Sequence, residues 1–419
     1  MSKSIKYKLK DISKINEASI KTTEKLKKVI YLDTSNLKNN VINSFQHFDL
    51  SIDKLPSRAR RKVKENTILY STVRPNQNHF GILKGLDFNN ILVSTGYTTI
   101  DVNYKKADPN YVYYYITEQT QIERLQSIAE QSTTSYPSIT PEDIKNIDIE
   151  LPDVRKQIQI SKIFSDLDKK IFLNNKINDN LEQQVATIYD YWFTQFDFPN
   201  DDGKPYCSSG GQMEWNYAFK RNIPIGWEVK SVISNCLSSV IKPGVETFDT
   251  KLYLATADVK GTSISTGTIT SYENRESRAN MQPSINSVWF AKMKNSIKHL
   301  NLNKEMQPVI SNTILSTGFC GLQCSEESFE YIASYIANPY FEIHKDMLAH
   351  GATQEAINND DLAGINIIIP SDDVLHAYHE ITRPIYAQIS KNICENQELV
   401  KLRDWLLPML MNGQATIGD

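Results

Sequence analysis

The sequence predicts an α+β protein: two tandem domains of mixed helices and strands, each followed by a long helix, with the two helices pairing as a coiled coil. Three observations support this prediction. The second half of the chain restates the first, each half contains short apolar runs of strand length, and each half ends in an apolar heptad pattern. With 419 residues and 40% hydrophobic side chains, the chain can fill two or three cores.

The internal repeat has an offset of about 220 residues. YLDT at 31–34 returns as YLAT at 253–256, VSTGY at 93–97 as LSTGF at 315–319, and IDIELP at 147–152 as INIIIP at 365–370. Shorter matches keep the same order: Ser57-Arg58-Ala59 returns as Ser277-Arg278-Ala279, Arg74 as Lys294, and His79 as His299. Chance similarity would not stay in register over so long a stretch.

Each half begins with about 150 residues of mixed pattern. Runs typical of β-strands, at 67–73, 91–93 and 287–290, are interspersed with helical stretches such as 112–129. Each half is therefore predicted to form one α+β domain before its long helix begins.

A heptad pattern follows the proline that ends each domain. In the first helix the seam residues alternate steps of four and three, at Ile160, Phe164, Leu167, Ile171, Asn174, Asn178, Leu181, Val185, Ile188 and Trp192. A shift of 218 residues, from 160 to 378, places Tyr378, Thr382, Ile385, Ile389, Asn392, Asn396, Leu399, Arg403, Leu406 and Leu410 in the same slots. Two helices with matching seams are expected to pair with each other.

Two asparagines lie in the middle of each seam. A buried asparagine costs stability but penalises slipped registers, because a displaced amide would face apolar neighbours without a partner. We therefore expect all four asparagines to meet at mid-length. Their central position suits a parallel or an antiparallel pair equally well, so it does not fix the direction. The same heptads are also common in simple homodimers.

The segment at 196–226, between the halves, is rich in Asp, Asn, Gly, Ser and Pro, which is the composition of an irregular connection. The chain is therefore predicted to consist of five segments. They are a first domain at 1–152, a central helix at 153–196, a linker at 197–226, a second domain at 227–370 and a distal helix at 371–412.

Several motifs resemble the specificity subunits of type I restriction-modification systems, and the resemblance covers essentially the whole chain. NTILYSTVRPNQNHFGI at 66–82, TTSYPSI at 133–139 and GATQ at 351–354 look like signatures of target recognition domains. YDYWF at 189–193, FDFP at 196–199 and IPIGWEV at 223–229 look like the central spacer and the start of the second domain, and LRDWLLP at 402–408 like the distal helix end. Their order along one chain is specific to this family.

The resemblance implies that two target recognition domains each read one half of a bipartite site on double-stranded DNA. It implies an antiparallel helix pair that acts as a ruler between the half-sites. It also implies that two modification (methyltransferase) subunits dock on the helices, and that restriction (translocase/endonuclease) subunits join later. The competing interpretation is a cytoplasmic coiled-coil scaffold that binds proteins and no DNA.

Composition excludes several other classes of protein. The first ten residues alternate Lys with apolar side chains, so neither a signal peptide nor a membrane span is expected, and a cytoplasmic location follows. The five cysteines are scattered, which does not suggest a disulfide framework. Only Cys320 and Cys324 lie close together, and a zinc site would need two more ligands, so we expect no metal.

The sequence contains no recognisable catalytic machinery. An Asn/Asp-Pro-Pro-aromatic tetrapeptide of the kind that methyltransferases use does not occur, nor does a phosphate-binding loop of the Gly-x4-Gly-Lys-Ser/Thr type. His79 and His299 lack a nearby Asp or Cys pattern, so we assign them no catalytic role. The sequence therefore predicts a non-catalytic subunit without a cofactor.

The net charge of -3 argues against indiscriminate coating of nucleic acid, yet the charge is uneven. Residues 1–152 carry 22 Lys+Arg and 17 Asp+Glu, a net of +5, whereas residues 201–370 carry 14 and 18, a net of -4. Any contact with DNA is therefore expected to be local.

A dense basic group suits phosphate contacts, which supply affinity without sequence information. It comprises Arg58, Arg60, Arg61, Lys62 and Lys64. The segment at 74–79 differs, because Arg can bond guanine bidentately while Asn and Gln can do the same for adenine. It supplies Arg74, Asn76, Gln77, Asn78 and His79. The alternatives are a solvated loop for the first group and a plain turn for the second.

The internal repeat predicts a corresponding surface on the second domain, formed by Arg275, Arg278, Lys294, Lys298 and His299. Two further polar loops match in the repeat. They contribute Thr134, Ser135 and Tyr136 in the first domain and Thr353 and Gln354 in the second. These loops either contact DNA or only close their domains.

Overall fold

The computed structural model describes residues 5–21, 24, 26–132, 136–264, 267–352 and 354–417. It forms two compact units. Unit 1 comprises Met1–Lys170 and Val400–Asp419, and unit 2 comprises Ile171–Leu399. Within the part of the chain that the structure describes, the helices include none that combines the length and the hydropathy of a membrane span.

Unit 1 contains twelve described strands. They are β1 (Ile5–Lys8), β2 (Ser13–Ile15), β3 (Lys28–Leu32), β4 (Leu37–Lys38), β5 (Val41–Ile42), β6 (Gln46–Asp49), β7 (Ala59–Lys62), β8 (Ile68–Ser71), β9 (Phe80–Ile82), β10 (Ile91–Ser94), β11 (Tyr97–Val102) and β12 (Asp148–Leu151). Its helices are α1 (Leu9–Ile12), α2 (Pro109–Ile116), α3 (Gln119–Glu130) and α4 (Pro141–Lys145), and the long α5 (Val154–Tyr189) begins in it.

Unit 2 contains the remaining strands. They are β13 (Met213–Asn216), β14 (Arg221–Pro224), β15 (Glu228–Ser231), β16 (Ser238–Val240), β17 (Lys251–Leu254), β18 (Val259–Lys260), β19 (Ser263–Ile264), β20 (Thr268–Thr270), β21 (Ala279–Met281), β22 (Ser287–Ala291), β23 (His299–Leu302), β24 (Thr313–Ser316), β25 (Phe319–Cys324) and β26 (Asn366–Ile369). Its helices are α6 (Gln307–Asn312), α7 (Phe329–Ala337) and α8 (Pro339–Leu348), and α9 (Asp372–Met411) begins in it.

The two units have the same sheet topology, which confirms the internal repeat. In unit 1 a mixed sheet has the order β6-β3-β10-β7, and an antiparallel sheet has the order β2-β11-β8-β9. Unit 2 repeats these as β20-β17-β24-β21 and β16-β25-β22-β23. The two central strands of each mixed sheet are parallel. β10 and β22 are buried along their whole length because each is an uninterrupted run of mostly apolar side chains.

Each domain is closed by its own first and last strands. β1 pairs antiparallel with β12, with Ile5 opposite Leu151, and β15 pairs antiparallel with β26, with Glu228 opposite Ile369. The repeated IDIELP and INIIIP motifs form these closing strands. The α+β class predicted for each half is confirmed.

The helical stretch predicted at 112–129 is interrupted, because α2 ends at Ile116 and α3 begins at Gln119. The backbone leaves the helical region at Glu118, with φ -67° and ψ 146°, and the Thr117 hydroxyl donates to the Tyr113 carbonyl. α2 itself begins with Asp108, whose carboxylate accepts from the Tyr111 backbone N–H, and with Pro109 in the first turn.

The seam of the two long helices is confirmed. Every predicted seam residue is buried or half-buried, including Leu167, Ile171, Leu181, Ile385 and Leu399. In unit 2, Asn174 Nδ2 donates to Asn396 Oδ1 at 2.9 Å, and Asn392 Nδ2 donates to Asn178 Oδ1 at 2.7 Å. The four asparagines meet as predicted, and higher numbers on one helix face lower numbers on the other. The pair is therefore antiparallel.

The seam also carries an ion pair in unit 1. Arg403 Nη1 lies 3.1 Å from Asp168 Oδ1, and the Tyr114 hydroxyl donates to Asp168 Oδ2 at 2.7 Å. Phe164 of α5 and Leu410 of α9 are buried in the core that also contains residues of α2 and α3. The helix seam and the domain core of unit 1 are therefore continuous.

Candidate nucleic-acid interface

The segment with the predicted base-reading residues is a tight turn between β8 and β9. Pro75–Gln77 form one turn of 3-10 helix, flanked by Arg74 and Asn78 in the left-handed region, with φ 47° and 58°. The Arg74 N–H donates to the Pro137 carbonyl at 2.9 Å, and the Asn76 N–H donates to Gln126 Oε1 at 3.3 Å. These contacts hold the turn against α3 and the loop that follows it.

The turn brings together two residues that the sequence proposed separately. The Arg74 guanidinium lies over the Tyr136 ring, 5.1 Å from its centroid, and Tyr136 is 60% exposed. A cation above an aromatic face in this range is an attractive contact. The structure thus places a guanidinium and an accessible ring at one surface position. Thr134 and Ser135, which were predicted beside them, lie outside the described residues.

The remaining residues of the turn divide into exposed and internally bonded side chains. Asn76 and Gln77 are exposed. His79 is half-buried, and its Nδ1 donates to the Leu37 carbonyl at 2.7 Å. Asn78 is half-buried, with Oδ1 buried and without a hydrogen-bond partner among the described residues. Asn76 and Gln77 are therefore the more accessible polar groups of this turn.

The basic group at 58–64 is largely a strand, not a solvated loop. Ala59–Lys62 form β7, in which Arg61 is opposite Val93 and Lys62 opposite Leu92. Because neighbouring residues of a strand point to opposite faces, these basic side chains do not form one cluster. Burial lowers the pKa of half-buried Arg61.

Two of the lysines in this segment are paired with carboxylates. Lys62 forms an ion pair with Glu24, and Lys64 Nζ lies 3.6 Å from Asp101 Oδ2. Arg58 and Arg60 are exposed, and Arg60 Nε donates to the Ser57 carbonyl at 3.1 Å. Arg58 and Arg60 are therefore the stronger candidates for phosphate contact.

The second unit supports its candidate residues on the same backbone framework. The Thr95 N–H donates to the Arg58 carbonyl at 2.9 Å, and the Thr317 N–H donates to the Arg278 carbonyl at 2.8 Å. The Arg74 bond to Pro137 is matched by a bond from the Lys294 N–H to the Glu355 carbonyl at 3.0 Å. Both repeats therefore make the same two backbone hydrogen bonds at corresponding positions.

A glycine in each repeat permits this arrangement. A Cβ on Gly96 would lie 2.9 Å from Thr34 Cγ2, and one on Gly318 would lie 3.1 Å from Thr256 Cγ2. The glycine of each STG motif thus leaves room for the Thr34 or Thr256 side chain to pack closely against the backbone.

The side chains predicted for the second surface have different surroundings. Arg278 is exposed, whereas Lys294 Nζ lies 2.8 Å from Glu355 Oε2 and Lys298 Nζ donates to the Thr256 carbonyl. Gln354 is exposed, and Thr353 lies outside the described residues. Lys294 and Lys298 thus carry partners within the domain that DNA phosphates would have to replace.

The prediction that His299 belongs to an exposed surface is wrong. This residue is 6% exposed, and its Nε2 lies 2.9 Å from Glu342 Oε1. The repeat aligns it with His79, which is half-buried, but the side chains around the two histidines differ. His299 therefore belongs to the interior of the second domain.

Sequence reasoning proposed Arg275 but missed the aromatic side chains and the second cation that lie beside it in unit 2. The Arg275 guanidinium lies 3.9 Å from the Tyr272 ring centroid, and Lys251 Nζ lies 5.5 Å from that of Phe248. The Tyr272 and Phe248 rings meet edge to face at 5.8 Å. The Tyr272-to-Arg275 spacing of three residues was the available signal, whereas the contact with Phe248 was not visible in the sequence.

Comparison with known proteins points to one family. Residues 1–183 match the sequence model of the type I restriction modification DNA specificity domain. The specificity subunit of the type I restriction enzyme HindI from Haemophilus influenzae is 24% identical, over 92% of this chain and 94% of that protein. The first 183 residues thus match a type I DNA specificity domain, and the chain as a whole is similar to type I specificity subunits.

A second relative is the specificity subunit of the type I restriction enzyme MjaIX from Methanocaldococcus jannaschii. It is 24% identical, over 74% of this chain and 69% of that protein. Among solved structures, a type I S subunit from M. genitalium aligns with 98% of this chain and 96% of its own, at 12% identity and a TM-score of 0.48. The HsdS subunit from Thermoanaerobacter tengcongensis aligns with 98% of this chain and 97% of its own, at 16% identity and a TM-score of 0.39.

The matched domain and the similar specificity subunits support one broad function. The chain is a DNA-recognition subunit of a type I restriction-modification complex and is not itself an enzyme. Its partners are DNA and the other subunits of such a complex. The alternative of a scaffold without DNA binding is not favoured, because the matched family model describes a DNA specificity domain.

Proposed function

We propose that the domains at 1–152 and 227–370 each read one half of a bipartite site on double-stranded DNA. The observation that supports this most directly is the repeated framework that holds Arg74 and Lys294 by corresponding backbone hydrogen bonds, in connections between equivalent strands. One framework with two different side-chain sets suits two half-sites of different sequence.

In the first domain, base edges are read by the turn at 74–79 together with Tyr136. Arg74 is the candidate for a bidentate contact with guanine, and Asn76 and Gln77 are candidates for adenine. Arg58 and Arg60 contact phosphates, which fix the position of the domain on the duplex. In the second domain, Arg275, Arg278, Lys294, Lys298 and Gln354 have the corresponding roles.

The paired helices set the spacing between half-sites and bind two modification subunits, with restriction subunits joining that complex. Three exposed apolar side chains on α5, Phe172, Leu173 and Ile177, support the docking proposal, since such patches mark interaction surfaces. Their exposed fractions are 53%, 46% and 46%.

Two measurements on the complex with its modification subunit test this function. Duplex binding is expected to weaken steeply with salt, because phosphate contacts release counterions. Methylome sequencing is expected to give two short defined blocks separated by an unspecified spacer. Binding that does not depend on salt, or a single continuous block, would contradict the proposal.

A further inference from the structure

The second domain contains a buried ionic network centred on two positions where the described residues of the first domain are apolar. Lys345 of α8 has a fully buried side chain, and its Nζ forms an ion pair with Glu342 Oε2 at 2.6 Å. Glu342 Oε1 lies 2.9 Å from His299 Nε2. The side chains of Glu342 and His299 are 9% and 8% exposed.

This network is bonded to both ends of the loop at 292–298, which carries Lys294. Lys345 Nζ donates to the carbonyl of Ala291, just before the loop, at 3.4 Å, and to that of Ser296, near its end, at 3.3 Å. Asp346 Oδ1 accepts from the Asn295 N–H at 3.1 Å. His299 is the first residue of the strand that follows. Hydrogen bonds therefore hold the backbone both before Lys294, at Ala291, and after it, at Asn295 and Ser296.

The first domain connects the equivalent strands, β8 and β9, without these charges. The repeat offset of 220 places Ile122 and Leu125 where the second domain has Glu342 and Lys345, and both are buried. Gln126 takes the place of Asp346 and accepts from the Asn76 N–H. The domain fold therefore does not require the Glu342–Lys345 ion pair. Its presence in the second domain alone suggests a role particular to that domain.

We propose that Lys345 and Glu342 are positioning residues that fix the loop at 292–298, and thereby set the base preference of the second domain. The inference rests on the proposed function of that domain. A buried ion pair contributes little net stability compared with apolar side chains of similar volume, but it demands one geometry. Because the Lys345 ammonium donates to two carbonyls on either side of Lys294, it restricts the backbone conformations that Lys294 can adopt.

The test uses the variant Glu342→Ile/Lys345→Leu, which installs the apolar pair of the first domain. Because apolar replacement of a whole buried pair is often neutral or stabilising, the variant is expected to melt no lower than the parent. Base discrimination in one block of the methylated site is expected to fall about tenfold, the size expected for one good base contact. The other block serves as the internal control.

Two further variants make the result interpretable. Glu228→Gln/Lys230→Gln removes an exposed ion pair of the same unit, with a separation of 3.1 Å, and is expected to leave both blocks unchanged. Asp346→Ala removes the carboxylate that accepts a hydrogen bond from the Asn295 N–H. The Asp346 side chain is 26% exposed, so this variant tests the loop if the double variant does not fold. It is expected to relax the same block to a smaller extent.

Methylomes of the assembled complexes decide between the outcomes. Relaxation confined to one block supports the inference. Unchanged preference in both variants, or equal relaxation of both blocks, would overturn it. If the parent complex itself shows no bipartite site, the proposed function is wrong. That outcome is distinct from a failure of the role proposed for the network.

Discussion

Arg74 is held in a left-handed backbone conformation that residues with a Cβ rarely adopt. Its N–H bond to Pro137 and the contact of its guanidinium with Tyr136 fix both the backbone and the side chain. A side chain ordered before binding loses less entropy when it contacts a base. This geometry makes Arg74 the best-defined base-reading candidate of the first domain.

We expect Arg74→Ala to weaken methylation at the cognate site by about 1 to 3 kcal/mol, or to relax one base position, because a bidentate contact is lost. The measurement is the methylation rate on duplexes that carry every base at each position. Arg60→Ala is the matched comparison, since a lost phosphate contact weakens all sequences alike. An Arg74→Ala complex with the parent's rate and preference would remove this residue from the interface.

Glu342 provides a test of the buried network through pH. Burial acts to raise the pKa of this carboxyl, but the hydrogen bond with His299 and the contact with Lys345 outweigh it, so the pKa is lowered. A carboxyl with a lowered pKa stabilises the folded state above its unfolded pKa of about 4.3, and this stability is lost as the pH falls through the folded value. The network is therefore most stabilising near neutral pH.

The variant Glu342→Gln is accordingly expected to lower the free energy of unfolding at pH 7, with a difference from the parent that shrinks as the pH falls below about 4.3. Denaturant titrations at several pH values measure this, with fluorescence of fully buried Trp289 reporting on the same unit. A difference that stays constant over this range would show that Glu342 is not held as a carboxylate.

At the residue scale, the sequence predicted individual side chains better than their contacts. Arg74 and Tyr136 were both proposed, but 62 positions separate them, and only the fold brings them together. His299 was misplaced because the repeat equates it with His79. Repeat alignment transfers the backbone position, whereas burial depends on neighbouring side chains such as Glu342, which comes from another element.

The long helices were the elements that the sequence predicted best. Their seam follows from a simple period, so every proposed position is buried or half-buried. The seam alone did not give their direction, because asparagines at the centre of both helices can meet in either orientation. The antiparallel direction was implied only by the family resemblance, and the asparagine contacts confirm it. The division between α2 and α3 was missed because the apolar spacing continues across Glu118, where only the backbone changes direction.

The antiparallel seam defines how the ruler hypothesis must be tested. One heptad placed near Asn178 keeps that helix in phase, but shifts one side of it by seven residues against α9. We therefore expect matched heptads, after Asn178 and before Asn392, to preserve both asparagine contacts. They lengthen the pair by about 10 Å at roughly 1.5 Å per residue.

The expected result is a spacer longer by up to about three base pairs, at about 3.4 Å each, with unchanged half-sites. Methylome mapping of the variant and its parent measures this, after assembly with the modification subunit has been verified. The single insertion is the control and is expected to destabilise the pair. An assembled, active double insertion that keeps the old spacer would mean that the helices only provide a docking surface.

For the whole molecule, net charge and exposed surface predict dependence on partners. The chain has a net charge of -3 and exposes Phe172, Leu173 and Ile177 on α5. We expect the purified chain alone to bind DNA weakly and to methylate none, because phosphate affinity is local and a methyl-donor motif is missing from the sequence. Duplex titration and a methyl-transfer assay on a preparation of mass-verified purity measure both properties, and methyl transfer by that preparation would refute the expectation.

The closing ribbons of the two domains have a consequence for how such a chain can change. Because β1 pairs with β12 and β15 with β26, each polypeptide segment starts and finishes at neighbouring positions in space. Opposed residues in an antiparallel pair have Cα atoms only about 4.5 to 5.5 Å apart. Each domain is thus a module whose two chain ends lie close together. A foreign domain with the same closing strand pair could replace it through two junctions, one at each end, while the helix that follows keeps its sequence.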